Sequence, residues 1–460
     1  MREIGRMAWG MVALAMVVAT WRCASAAPIG EALAARLAAG PTGAPLRVLV
    51  RLRSEQAPPL DEALPRATRR GERLAGLREA HAARAARVAA IVGARPGQAR
   101  VVRDLWIGNA LEIEASAEVV QDLAAAPEVE QLELVRIAAT IVPIEDGPEP
   151  DDVPPAVYGV RRIRAPQVWA LGTRGQGAVV AVIDTGVRAN HPDLRGRWRS
   201  RHGWLDAVEG SRTPVDVNGH GTHVTGTIVG GNVAGPNFIG VAPRAQFIAC
   251  RAFDASGYAL DADLLECMQW VADPDGNPAT DDAPDAVNNS WGLLNDLCDT
   301  AFDRAAAVWR DLDIVGVFGS GNQGVPVNPA NGRTVLAVGA IDRNDQVPWW
   351  SGHGISRCGG IYPDLVAPGV KVRSAWPGGT RKNLRGTSMA APHVAGTVAL
   401  MRSRRPQTTA AEIANILRTA AVDLGDPGPD YVYGYGLVDA YRSVLCLDRG
   451  SFSGCHAQCP

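Results

Sequence analysis

From residue 178 onward the chain alternates between short, almost wholly apolar runs and longer mixed stretches. Runs 178–183, 246–251, 286–289, 314–319 and 335–338 carry few polar side chains. Strands of a parallel sheet covered by helices on both faces have this composition. Stretches 262–272 and 300–309 between them read as helices, so the expected class is α/β with a doubly wound, mostly parallel sheet. The upstream pattern is different. Residues 46–53 alternate Leu and Val with Arg, which predicts a strand, and the Ala-, Arg- and Leu-rich stretch 72–92 predicts an exposed amphipathic helix. A strand over 101–113, a helix capped by Ser116 with Glu118 in its first turn, and a strand over 129–135 complete a small α+β unit, 27–138.

Between the two patterns lies a segment, 139–157, rich in Pro143, Pro148, Pro150, Pro154, Pro155 and acidic residues. Such a stretch buries no core and reads as an extended linker. At 460 residues the chain has room for two folded units plus tails. The net charge of −2 gives no reason to expect nucleic acid or an anionic membrane as partner. Lysine occurs only at Lys371 and Lys382, and the abundance of Arg reads as compositional bias.

The N-terminus has its own logic. Arg2 and Arg6 precede an apolar run over 7–20, and Ala24-Ser25-Ala26 offers a small-residue cleavage site before Ala27. That predicts a secretory signal over 1–26, a secreted product, extracellular or periplasmic, and no membrane association after cleavage. Seven cysteines would remain: Cys250, Cys267, Cys298, Cys358, Cys446, Cys455 and Cys459. In an oxidising compartment they are expected to form structural disulfides, with the odd one free or intermolecular, and 446–460 reads as a cysteine-containing tail.

Three blocks carry chemistry. Asp184 ends an apolar run and opens Asp184-Thr185-Gly186, His220 stands in His220-Gly221-Thr222-His223, and Ser388 stands in Gly386-Thr387-Ser388-Met389-Ala390. Each alone has a bland reading as turn residue, buried histidine or helix cap. Together they supply an orienting carboxylate, a general base and a nucleophile for acyl transfer. Pro392 is tolerated only near a helix start, which puts Ser388 at a helix N-terminus where free N–H groups favour negative charge. His223 and His393 read as structural.

In their Asp, His, Ser order these blocks resemble the signature blocks of the subtilisin-like serine proteases. His191-Pro192-Asp193-Leu194, Gly240-Val241-Ala242-Pro243 and 364–369 are similar to further family blocks. The resemblance implies a catalytic domain over 158–445. It also implies oxyanion donors at Asn322 and the Ser388 N–H, and a substrate-binding groove walled by Ser290, Trp291 and Gly292 and by Gly319, Ser320 and Gly321. Protein or peptide substrates would bind there as an added strand, and activity would rise with pH as His220 loses its proton. The unit 27–138 resembles the propeptide inhibitor domain of the family, which implies an intramolecular inhibitor and a maturation cut between 135 and 158. No cofactor is implied for catalysis. Asp273, Asp275, Asn277, Asp281, Asp282 and Asp285 offer oxygens for a structural calcium ion, although a Pro- and Gly-bearing acidic loop reads more readily as a solvated turn. The rival reading from another class is a catalytically silent binding protein on the same scaffold.

Overall fold

A computed structural model describes residues 27–40, 44–53, 64–140, 144–147, 156–231, 238–293, 295–298 and 300–449. The expected signal segment, positions 148–155 of the linker and all but the start of the tail lie outside the described residues.

The N-terminal unit contains α1 (Glu31–Ala38), β1 (Leu46–Leu52), α2 (Arg66–Gly93), β2 (Ala99–Leu105), β3 (Ala110–Ala115), α3 (Ala117–Ala125) and β4 (Val129–Leu134). Its antiparallel sheet has the order β2-β3-β1-β4. Alternate residues of β1, including Val48, Val50 and Leu52, join Val88, Val119 and Leu123 from the helices in one core. Ser116 caps α3 by accepting from the Val119 N–H. The single strand expected over 101–113 is in fact two strands. A 3₁₀ turn at Trp106–Gly108 and Asn109, at φ 48°, reverse the chain between them. Asn is one of the few side chains that tolerates this left-handed conformation.

The expected linker begins as structure. Ile137–Thr140 is β5 and Ile144–Glu145 is β6, each paired to a strand of the larger unit. That unit continues with α4 (Tyr158–Arg162), α5 (Ala165–Ala170), β7 (Val179–Asp184), β8 (Trp204–Asp206), α6 (His220–Val229), β9 (Gln246–Arg251) and β10 (Tyr258–Leu260). Next come α7 (Asp261–Ala272), β11 (Ala286–Asn289), α8 (Ala301–Asp311), β12 (Val315–Gly319) and β13 (Leu336–Ile341). The chain then forms β14 (Gly354–Ile355), β15 (Ile361–Tyr362), β16 (Leu365–Pro368), β17 (Val372–Trp376) and β18 (Thr380–Arg385). Helices α9 (Thr387–Arg404), α10 (Ala410–Thr419) and α11 (Ala440–Arg449) follow.

Seven parallel strands in the order β16-β13-β12-β11-β7-β9-β8 form the central sheet. Alternation along each strand feeds two cores. Val180 and Val182 of β7 meet α6 and α9 residues such as Val224 and Val394, while Ala181 and Ile183 meet α7 and α8 residues such as Leu265 and Ala305. The sheet is therefore doubly wound. The chain leaves β7 for β8 and β9 on one side and returns to place β11 on the other, so β7 marks the switch point. In such sheets the crevice at the carboxyl ends gathers the functional groups. Cys250–Cys267 ties β9 to α7, Cys298–Cys358 ties two surface loops, and Cys446 is also disulfide-bonded.

The N-terminal unit shares the second core. Leu49, Leu74, Leu105 and Ile107 pack with residues of α7 and α8. Helix α2 starts earlier than the pattern predicts, and its first turns are docked rather than exposed. Arg66 donates to Asp285 Oδ1 at 3.0 Å and to the Asp313 carbonyl at 3.1 Å. Arg70 donates to Asp281 Oδ1 at 2.9 Å and to the carbonyls of Pro284 at 3.0 Å and Asp313 at 3.3 Å. Arg69 pairs with Asp313 and Arg73 with Asp311. Apart from Asp311, at the end of α8, these carboxylates and carbonyls lie in the loops entering β11 and β12, at the amino edge of the sheet.

Candidate active site

The carboxyl edge holds the predicted residues. Asp184 is the last residue of β7 and fully buried, and His220 opens α6. His220 Nδ1 lies 2.8 Å from Asp184 Oδ1 and 3.0 Å from Oδ2. The Thr185 N–H donates to Asp184 Oδ1 at 2.7 Å, which fixes the carboxylate against the ring. Two glycines make the approach possible. Gly186 sits at φ 104°, and a Cβ there would lie 1.9 Å from the Val215 carbonyl; a Cβ on Gly221 would lie 2.1 Å from the Gly186 carbonyl. Bulkier residues would push Asp184 and His220 apart.

Asp216 is a site residue that sequence reasoning missed. Fully buried, it accepts from Thr185 Oγ1 at 3.0 Å, the Gly219 N–H at 2.7 Å, the Thr222 N–H at 2.9 Å and Thr222 Oγ1 at 2.6 Å. It locks the loop before His220 onto the turn after Asp184. Burial, the largest influence, raises its pKa, and these donors oppose that rise. The signal available in sequence was an acid four residues before a histidine, which is too common to single out.

Ser388 is the second residue of α9, half-buried, with α9 packed against α6. Its Oγ donates to the Ser290 carbonyl at 3.1 Å, and Ser290 Oγ donates back to the Ser388 carbonyl at 2.9 Å. Asn322 is fixed by its oxygen: Oδ1 accepts from the Thr387 N–H at 2.9 Å and from Thr387 Oγ1 at 3.0 Å. That commits the side-chain rotamer and leaves the Nδ2 amide turned toward the Gly386–Ser388 turn, where a Cβ on Gly386 would lie 3.3 Å from it.

The expected groove walls follow β11 and β12, which are parallel neighbours. Gly321 N–H donates to Thr387 Oγ1 at 3.2 Å, and a Cβ on Gly319 would lie 3.1 Å from the same oxygen. Ser320 turns away, donating to the Gly352 carbonyl at 2.8 Å. A Cβ on Gly292 would lie 2.7 Å from Val327. Trp291 departs from expectation. Its ring was expected to shape the side-chain pocket but is buried in the core, edge-on to Phe318 at 5.3 Å and to Phe302 at 6.1 Å. The apolar side chains of α8 and β12 offer it more buried contact than the groove does.

The other histidines of the two blocks, His223 and His393, are packed in the core. His223 Nε2 faces the carbonyls of Val372 at 3.0 Å and Lys382 at 3.1 Å, and burial pushes its pKa down to about 3. His393 Nδ1 faces the Met389 carbonyl at 2.8 Å, and burial lowers it to about 4.

Away from this edge, the acidic loop divides. Asp273, Asp275 and Asp282 bring oxygens within 4.8 Å of one another, while Asp281 and Asp285 are engaged by Arg70 and Arg66. Asn277 Oδ1 accepts from the Ala279 N–H at 3.1 Å. Burial first, then Asp275, raises Asp282 to about 6, and Arg78 lies 2.6 Å from Asp273. The loop thus has a guanidinium from α2 as counter-charge.

A carboxylate held against an imidazole, with a serine and an amide donor at the same parallel-sheet edge, is the set of groups that acyl-transfer hydrolases use. Residues 175–436 match the Subtilase family, and the chain belongs to that family of serine endopeptidases. It is 38% identical over 395 residues to bacillopeptidase F of Bacillus subtilis (strain 168), covering 77% of this chain but 27% of that relative. The chain thus spans about a quarter of that protein's length. It is 34% identical to M-protease of Shouchella clausii (strain KSM-K16), over 68% of this chain and 76% of the relative. It is 35% identical to Subtilisin Savinase of Lederbergia lenta, over 62% of this chain and 96% of the relative. Among the described residues no helix is long and apolar enough to cross a membrane.

Proposed function

We propose that the chain is a secreted serine endopeptidase made as a self-inhibited precursor, with Ser388 as nucleophile and His220 as general base and then acid. Asp184 orients the ring and stabilises its imidazolium. Asn322 Nδ2 and the Ser388 N–H receive the oxyanion. The observation that carries this reading is the commitment of His220 Nδ1 to Asp184 and of Asn322 Oδ1 to Thr387. Each group is held by one atom and keeps its working atom, Nε2 or Nδ2, for the reaction. Ser388 Oγ leaves the Ser290 carbonyl and turns to the imidazole when substrate arrives, as nucleophiles often tighten their hydrogen bonds only in the complex.

The unit 27–138 acts as the intramolecular inhibitor. Supporting this, β5 pairs antiparallel with β10, and β6 pairs antiparallel with β18, which leads directly into Gly386-Thr387-Ser388. A strand added on each side of the nucleophile is how an extended substrate would bind. We therefore expect maturation between Thr140 and Ile144. Full-length chain and Ser388→Ala, followed by mass and casein cleavage, test the reading. The wild type should shorten and cut casein, and the variant should lose at least about 10⁴-fold in activity and stay intact. If both shorten alike and neither cuts, the catalytically silent scaffold is the better account.

A further inference from the structure

We propose that the leaving-group side of the cleft selects acidic substrate segments, through Arg385 and Lys382 on β18. The inference rests on the endopeptidase reading and adds a substrate class to it. Strand β18 runs into the nucleophile, with Arg385 three residues before Ser388. One edge of β18 pairs with β17; the other receives the chain's own segment, with Ile144 opposite Arg385 and Glu145 opposite Leu384. The pairing continues as the Asp146 N–H donates to the Asn383 carbonyl at 2.9 Å. Once that segment has left, a substrate leaving the nucleophile on this side meets the same edge.

Each substrate side chain on that edge then has a defined neighbour. Directly opposite residues of an antiparallel pair share a face, as do diagonal ones two residues away. The position taken by Ile144 faces Arg385, which is exposed and makes no side-chain hydrogen bond or ion pair among the described residues. The position taken by Glu145 lies diagonal to Lys382, whose Nζ is 3.1 Å from Glu145 Oε2. Lys382 Nζ also sits 4.6 Å from the centre of the Trp376 ring, and this cation–π contact fixes where its charge points. A carboxylate at the next position meets the Lys371 N–H, which donates to Asp146 Oδ2 at 3.3 Å. Strands β17 and β18 contain no acid to oppose them. The segment now on this edge has the matching composition, with Glu145 and Asp146 followed in sequence by Glu149, Asp151 and Asp152.

Exposed pairs of this kind change affinity modestly, by about two- to fivefold each. The test uses two quenched fluorogenic peptides identical up to the cut bond. After it, they carry Glu or Lys at the second and third positions, and mass spectrometry fixes the cut. At low salt the mature enzyme should show a Glu-over-Lys ratio in kcat/KM of about tenfold, falling toward one in about 0.5 M NaCl as the charges are screened. The double variant Lys382→Glu, Arg385→Glu should invert the ratio, with a Gln-bearing peptide as internal reference for general damage. A wild-type ratio within twofold of one, or a ratio that charge reversal leaves unchanged, overturns the proposal while the endopeptidase reading stands. Cleavage of no peptide at all removes that reading and this one with it.

Discussion

The N-terminal unit and the segment that follows it hold the larger unit at opposite ends of its parallel sheet, and the two grips differ in kind. At the amino edge, side chains do the holding: Arg66 and Arg70 are buried and spend their N–H groups on Asp285, Asp281 and loop carbonyls. At the carboxyl edge, β5 and β6 hold by backbone pairing to β10 and β18, and the side chains of Ile137 and Ile144 stay exposed. Side-chain pairing of that first sort is specific to one partner, whereas backbone pairing by itself accepts any extended chain and leaves preference to the few side chains beside it, such as Lys382. For the inhibitor proposed above, the contacts specific to this pair of units are those of the far edge, where Arg66 and Arg70 engage the loops before β11 and β12.

The amino-edge grip should weaken in Arg70→Gln, made in a Ser388→Ala background to remove the proposed nucleophile. Arg70 is buried but its partner Asp281 is 41% exposed, so the expected loss is that of leaving the Pro284 and Asp313 carbonyls a donor short, about 1–3 kcal/mol. The exposed pair Arg95–Asp122, with side chains 43% and 42% exposed, is the control; Arg95→Gln should cost about 0.5 kcal/mol or less. Urea unfolding measures both. Equal losses would mean that burial adds nothing to the amino-edge grip. The site is also crowded with like charge. Burial, and next the Arg66 guanidinium, push Arg402 down to about 9, so the gain from each arginine is less than its hydrogen bonds alone suggest.

The same contrast governs what the sequence made legible. The buried strand at 246–251 was readable to the residue because a strand covered on both faces is mainly apolar, as Phe247 to Cys250 are, and that composition implied covering helices. The residues Asp184, His220, Asn322 and Ser388 stood out in the sequence because each sits among small residues, and the fold brings Asp184 against His220 and Asn322 against Thr387 beside Ser388. The arginine face of α2 was not. Arginines spaced along a helix look the same whether they face water or a neighbour's carboxylates, and only tertiary placement separates the two. Trp291 was misplaced for a related reason, since its position after β11 allows the ring to turn toward the groove or the core. Asp216 was overlooked because its four hydrogen bonds come from residues on two different turns.

Asn322→Ala tests the proposed oxyanion site at the carboxyl edge and leaves both grips in place. Losing one preorganised oxyanion donor costs about 3–4 kcal/mol in the transition state, a drop of about 10²–10³ in kcat with KM little changed. Thr387 would also lose the acceptor at Asn322 Oδ1, so Asn322→Asp, which keeps an acceptor and removes the donor, separates the two effects. Asn322→Asp should be as slow as Asn322→Ala if donation is what matters. Full activity in either variant would remove Asn322 from the oxyanion site.

Protons should distinguish the edges as well. Asp261 opens α7 beneath β5, with its N–H donating to the Arg136 carbonyl at 3.1 Å, and burial raises its carboxyl to about 7 from 3.8. Between those two values the native protein binds a proton that the unfolded chain does not. Stability from this group is therefore present at low pH and is lost as pH rises from about 4 toward 7. The full swing is on the order of 2–4 kcal/mol, at about 1.4 kcal/mol per unit. At the amino edge the counterpart is Asp282, which burial raises to about 6 from 3.8, a smaller rise over the same range. Asp261→Asn, again with Ser388→Ala, should keep at pH 8 more of its pH 5 urea midpoint than the parent does. Parallel pH profiles for the two proteins would mean that Asp261 ionises freely and that the carboxyl-edge grip is no more sensitive to protons than the arginine grip opposite it.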